Sequence, residues 1–135
     1  MTKKEAVQIL AILKASYPNF YKNLTQEDAQ GIVSVWSMQF ADMSAEVVFM
    51  ALNKAISINK YPPTIAEVKE KISSVHWESY EIITRNQHFK TLSESELEHY
   101  KRIYAETQEY RHTKQEPSIR QIVGGGNIKQ LTGEC

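Results

Sequence analysis

Apolar residues recur at helical spacing in separated stretches along the chain, and no stretch alternates apolar with polar as a half-buried strand does. Ala6, Ile9, Leu10, Leu13 and Tyr17 share one face, while Lys4, Gln8 and Lys14 stay on the wet side. Thr2 followed by Glu5 has the spacing of a capping box, so a first helix is predicted through about Ser16, where Pro18 stops it. Asn19-Phe20-Tyr21-Lys22-Asn23-Leu24 is a short aromatic connector whose rings are expected to cover the bundle end.

Thr25 caps a second predicted helix, with Glu27 and Asp28 in the first turn, where the helix dipole favours negative charge. Its buried stripe is expected to be Ala29, Ile32, Val33, Trp36 and Phe40. Gly31 in that helix costs about 1 kcal/mol relative to alanine, and close approach of a neighbouring helix is the expected reason for it. Asp42-Met43-Ser44 breaks the pattern, and Ser44 caps a third helix that faces inward through Val48, Ala51, Leu52, Ala55 and Ile58.

The punctuation that organises the chain is Tyr61-Pro62-Pro63-Thr64-Ile65-Ala66-Glu67-Val68. Two consecutive prolines cannot sit inside a helix, and each pushes the residue before it into extended geometry. Thr64 with Glu67 then forms a capping box, and Ile65, Val68, Ile72 and Val75 continue as one apolar stripe. That fourth helix runs to about Ser74, and two continuations fit the sequence. It extends through His76 and Trp77 to Arg85, or it breaks near Ser73-Ser74. Ser93 with Glu96 opens a last helix to about His112, with a thin apolar face of Leu97, Tyr100, Ile103, Tyr104 and Tyr110.

The fold class is therefore all-α. Residues 1–75 are expected to form a small helical bundle, and 76–112 a helical extension with a further helix. Residues 113–135 are expected to be a disordered tail that folds on binding. They run from Thr113-Lys114-Gln115-Glu116-Pro117 through the flexible joint Gly124-Gly125-Gly126 to Cys135.

With 135 residues and 41% hydrophobic content, the chain has room for one small core. Sixteen basic residues balance sixteen acidic ones, whereas a dedicated DNA binder usually carries a basic excess. Strong direct nucleic-acid binding is not expected. Lys54, Lys60, Lys69 and Lys71 flank the Pro-Pro turn, but Glu67 and Glu70 interleave them into an ordinary charged face. A single cysteine, no visible secretory signal and no bilayer-length apolar run predict a soluble cytoplasmic protein with no membrane partner.

Catalytic constellations are missing. The triple glycine lacks the following Lys-Ser/Thr and the strand-to-helix setting of a phosphate loop. His76, His88, His99 and His112 are too scattered for a helical metal pair and read as surface histidines. His76-Trp77-Glu78 matches only half of a zinc deaminase motif. No metal and no cofactor is expected, and enzyme function is disfavoured.

Within the polar tail, Ile119, Ile122 and Val123 fall on one helical turn, and Ile128 and Leu131 follow the glycines. These are candidate anchors for a partner.

The first half of the chain resembles the phage replicative-helicase loader/inhibitor family. The resemblance rests on Lys4-Glu5-Ala6 with Ile9-Leu10, Ala15-Ser16-Tyr17-Pro18-Asn19-Phe20-Tyr21, Trp36, and Lys60-Tyr61-Pro62-Pro63-Thr64-Ile65-Ala66-Glu67. It implies a non-enzymatic adaptor of phage DNA replication in the bacterial host cell. Such a protein binds the ATP-bound, hexameric DnaB-like helicase, holds down its ATPase and unwinding, and delivers it to the origin initiator protein. It also implies an ordered helical N-terminal domain followed by a mobile segment needed for helicase contact. Tyr17, Pro18, Trp36, Pro62, Pro63 and Thr64 are the structural signature. Helicase contact is placed on Ile119, Arg120, Ile122, Val123, Ile128 and Leu131 by the anchor pattern rather than by a matched motif. The competing reading is a small helical DNA-binding regulator, which would bind duplex DNA with steep salt dependence.

Overall fold

A computed structural model describes residues 1–112, and every described element is helical. The tail residues 113–135, with the candidate anchors Ile119, Arg120, Ile122, Val123, Ile128 and Leu131, lie outside the described residues. The described chain divides into two compact units, with the boundary between Glu78 and Ser79.

In the first unit, α1 (Lys3–Ser16) starts at Thr2, whose hydroxyl accepts from the Glu5 amide while the Glu5 carboxylate accepts from the Thr2 amide. Pro18 does more than stop this helix: it occupies the first position of a single turn, α2 (Pro18–Tyr21), where a missing amide hydrogen does no harm. Then α3 (Gln26–Gln39) is capped by Thr25, and α4 (Ala45–Ile58) by Ser44. α1 packs against α3 and α4, and α4 packs against α5 (Ile65–Glu70). The buried residues are Ala6, Ile9, Leu10 and Leu13 of α1, Trp36 and Phe40 at the end of α3, and Val47, Val48, Ala51, Leu52 and Ala55 of α4. Ala51 and Ala55 have no side chain beyond Cβ, which suits a helix that carries neighbours on more than one side.

Four sequence expectations need correction. Ile58 is exposed, because it is the last residue of α4 and the chain has already turned toward the prolines. Ala29, Ile32 and Val33 are only half-buried, since α3 lies at the edge of its unit and only its C-terminal turn is covered fully. The break after the Pro-Pro turn falls at Lys71, earlier than Ser73-Ser74, and α6 (Ile72–Phe89) then continues without interruption. Val68, Ile72 and Val75 are fully buried on either side of that break, so the apolar stripe survives it. Finally, Gly31 packs against nothing: a Cβ built there meets no atom within 4 Å.

Gly31→Ala is accordingly expected to stabilise the chain by about 0.5–1 kcal/mol through helix propensity alone. A thermal melt that shows the alanine variant equal to or below the parent would contradict an open, unstrained site.

In the second unit, α6 ends at Phe89 and Lys90 takes a left-handed conformation with φ 48°. The Lys90 amide donates to the Asn86 carbonyl (2.9 Å), and the Asn86 side-chain oxygen accepts from the Leu92 amide (2.9 Å). Buried Asn86 thus satisfies the backbone of the turn into α7 (Glu94–Tyr110), which Ser93 and Glu96 open as a third capping box. Ile103 and Thr107 are the fully buried residues of α7, and Tyr80 stacks on Tyr104 at 6.0 Å. Thr107 can stand in an apolar position because its hydroxyl is satisfied within the helix, donating to the Ile103 carbonyl (2.8 Å).

Candidate surfaces for partner contact

The Pro-Pro turn is held by one short polar chain. The buried Tyr17 hydroxyl donates to the Asn59 carbonyl (2.9 Å), and the Asn59 side-chain amide donates to one oxygen of Glu67 (3.1 Å). The other Glu67 oxygen accepts from the Thr64 amide (2.9 Å), and the Glu67 amide donates to the Thr64 hydroxyl (3.1 Å). Tyr17 at the end of α1 is therefore tied to the α4–α5 connection, a contact between residues far apart in sequence. Pro63 is buried, Pro62 half-buried and Pro18 exposed. On this base stands an aromatic ledge: Phe20 meets Tyr17 edge-on at 6.4 Å and Tyr61 edge-on at 5.6 Å. Phe20 and Tyr61 remain 56% and 60% exposed, so they mark the end of the bundle without closing it.

These contacts also set the local electrostatics. The Glu67 carboxyl lies below its ordinary value of 4.5, first because of the Thr64 backbone hydrogen bond. Glu5 and Glu96 are lowered for the same reason, by the Thr2 and Ser93 backbones. Burial, and then the Glu67 charge, raise the Tyr17 phenol above 10.0. A carboxyl whose pKa is lower folded than unfolded stabilises the fold above its unfolded pKa, and loses that contribution as pH falls through the folded one. Melting temperature is therefore expected to drop as pH falls below about 4.5, the ordinary carboxylate value from which all three are displaced. The triple variant Glu5→Gln, Glu67→Gln, Glu96→Gln should show a shallower dependence across that window, and equal slopes would rule out the capping boxes as its source.

The lysines flanking the turn are engaged within the chain. Lys54 pairs with Glu78 at 3.2 Å, Lys69 donates to the Gln39 side chain at 3.2 Å and lies 5.5 Å from the Phe40 ring centre, and Lys60 covers Tyr61. Lys54, Lys60 and Lys69 thus each meet a carboxylate, an amide or a ring of this chain. His76 is not a surface histidine: it is 1% exposed, with its ring edge-on to Trp77. Its place between Ile72 and Ser79, also fully buried, is the signal that could have placed it inside. Among the described residues no group of three or more His, Cys, Asp or Glu could hold a metal, and no helix is long and apolar enough to cross a membrane.

Two features were not anticipated. The Met1 ammonium donates to the carbonyls of Phe40 (3.2 Å) and Met43 (2.6 Å), placing a positive charge where the α3 dipole is negative. Second, α3 turns a second apolar stripe outward. Val35 is 48% and Met38 71% exposed, and both align with Gly31 and Asp28 at spacings of three and four. A shallow groove beside this stripe is lined by Leu24, Ile32, Val35 and Trp36, with Glu27 and Asp28 at one end. Another groove, on the opposite flank of α3, is lined by Val7, Leu10 and Val33.

A family model, described as the N-terminal domain of the phage gene 39 protein, matches residues 1–69. The matched span contains the whole Tyr17–Asn59–Glu67–Thr64 network and α3 with both its faces. No curated protein and no solved structure matches the chain.

Proposed function

Because the chain belongs to the family of the phage gene 39 protein N-terminal domain, a family of helicase loaders and inhibitors, we propose that it is a non-enzymatic adaptor of phage DNA replication acting on a replicative helicase. It binds the hexameric DnaB-like enzyme in its ATP-bound form, restrains ATPase and unwinding, and hands the helicase to the origin initiator protein. The observation that carries this reading is the family match over residues 1–69, which spans the cross-linked Pro-Pro turn. ATP is the helicase's ligand in this scheme.

Labour is divided along the sequence. Residues 1–75 form the scaffold and offer a surface to the initiator, while helicase contact falls to Ile119, Arg120, Ile122, Val123, Ile128 and Leu131. Burying one large aliphatic side chain contributes about 1.5–3 kcal/mol, and ordering a segment on a partner costs about 2–5 kcal/mol. One anchor cannot offset that cost, but several together can. The inhibited helicase is the conformer that the bound segment favours, because a ligand shifts an equilibrium only by its differential affinity.

Calorimetric titration into a purified DnaB-type helicase, with and without a non-hydrolysable ATP analogue, tests the proposal. The full chain and a version ending at Glu116 are compared, and duplex DNA is titrated in parallel. Nucleotide-dependent binding lost on truncation supports both the partner and the tail assignment. Binding kept by the shorter chain moves the contact to residues 1–112. Absence of helicase binding, together with salt-sensitive DNA binding, replaces the adaptor reading with the DNA-binding one.

A further inference from the structure

We propose that the outward stripe of α3 is a docking surface for an amphipathic helix of another protein, one that carries lysine or arginine at one end and lays it against Glu27 and Asp28. This surface is separate from the tail anchors, so it stands or falls apart from the helicase contact.

Gly31 is the first support. A glycine inside a helix costs about 1 kcal/mol against alanine, and nothing within the described chain uses the space, since a Cβ there would touch no atom within 4 Å. It sits at mid-length of α3, between exposed Asp28 on one side and exposed Val35 and Met38 on the other. A helix without a side chain at the crossing point lets a second helix bring its backbone close, with the flanking residues packing on either side. The groove beside it is already apolar, with Leu24, Ile32 and Trp36 forming its wall.

Charge selects the occupant. Glu27 and Asp28 close one end of the groove, no lysine or arginine lines it, and neither carboxylate has an ion-pair partner among the described residues. The helix dipole accounts for two acids in a first turn, but not for the apolar stripe that follows them. A second copy of this chain fits less well. A two-fold contact through Gly31 would set Glu27 and Asp28 against Val35 and Ser34 of the second copy, which covers both carboxylates without supplying a cation. A helix with a basic end satisfies both halves of the surface.

The probe is a synthetic helical peptide, about four turns long, with alanine at its centre, leucines three and four residues to either side, and two arginines at one end. It is titrated into the isotope-labelled full chain and followed by amide NMR. Shifts centred on Gly31, Val35 and Met38 are expected. Gly31→Leu should weaken binding at least tenfold while leaving the melting temperature unchanged or higher, so lost binding cannot be lost folding. Exchanging the peptide's arginines for glutamates should also weaken it at least tenfold, and Val7→Ser, on the other groove, should leave it unchanged. The proposal is overturned by no binding, by shifts centred on Val7 and Val33, or by a Gly31→Leu variant that binds like the parent. Sedimentation of the chain alone supplies the remaining arm: a dimer that Gly31→Leu dissolves would give the stripe to a second copy and overturn the heterologous partner.

Discussion

Phe40→Ala is expected to destabilise the protein by about 3–5 kcal/mol, the range for emptying a fully buried phenylalanine site. Phe40 is 0% exposed and sits where α3 ends, so its ring and its backbone serve different contacts at one point. The ring lies 5.7 Å from that of Trp36 and carries the Lys69 amine 5.5 Å from its centre. The backbone amide donates to the Trp36 carbonyl (3.1 Å), and its own carbonyl accepts from the Met1 ammonium (3.2 Å). Ring removal leaves a cavity between Trp36 of α3 and Lys69 of α5, and the chain cannot collapse into it without loosening these end contacts. A domain of this size has about 0.05–0.15 kcal/mol of stability per residue, so the loss takes a large share of the total. Urea unfolding followed by circular dichroism should show a much lower midpoint with an unchanged slope. Phe40→Leu, which keeps most of the volume, should cost far less. A loss below about 1 kcal/mol for the alanine variant would mean that the site can repack, contrary to the geometry described.

The second large effect is on binding. Ile119→Ser, Ile122→Ser and Val123→Ser combined are expected to weaken helicase affinity more than a hundredfold. Each anchor contributes about 1.5–3 kcal/mol when fully buried. A hundredfold change requires about 2.8 kcal/mol, at about 1.4 kcal/mol per factor of ten, and two-thirds of the lower burial figure across three residues already reaches it. These three residues share one turn if the segment is helical on its partner, so their loss removes one contiguous face. Gly124→Ala, in the joint beyond them, should change affinity by less than tenfold. Helicase titration of the triple variant provides the readout, with its melting temperature as the control. Unchanged affinity would remove the helicase contact from Ile119, Ile122 and Val123.

Helix starts were the most legible part of the chain. Thr2, Thr25, Ser44, Thr64 and Ser93 each cap the helix that local spacing assigns to them. A cap is a contact between residues three apart, so nothing distant can override it easily. Burial was less legible wherever it depended on how many neighbours a helix has. The stripe of α3 carries the right residues, but Ala29, Ile32 and Val33 are half-buried because α3 is an edge helix. The same circumstance exposes Val35 and Met38 and leaves Gly31 without a packing partner among the described residues. His76 erred in the other direction, because polarity suggested solvent while its place between Ile72 and Ser79 put it inside.

Sequence alone determined the all-helical class, the position of the Pro-Pro turn and the helix cap that follows it, since these rest on backbone chemistry within a few residues. Only the tertiary structure decided that Tyr17 reaches the Asn59 carbonyl, that the Met1 ammonium lies on the α3 carboxyl end, and that α3 has a second face open to solvent. The first two depend on which elements are brought together across forty or so residues, and the third on which element is left at the edge. That choice is made by the summed burial of a whole core, which no local pattern contains.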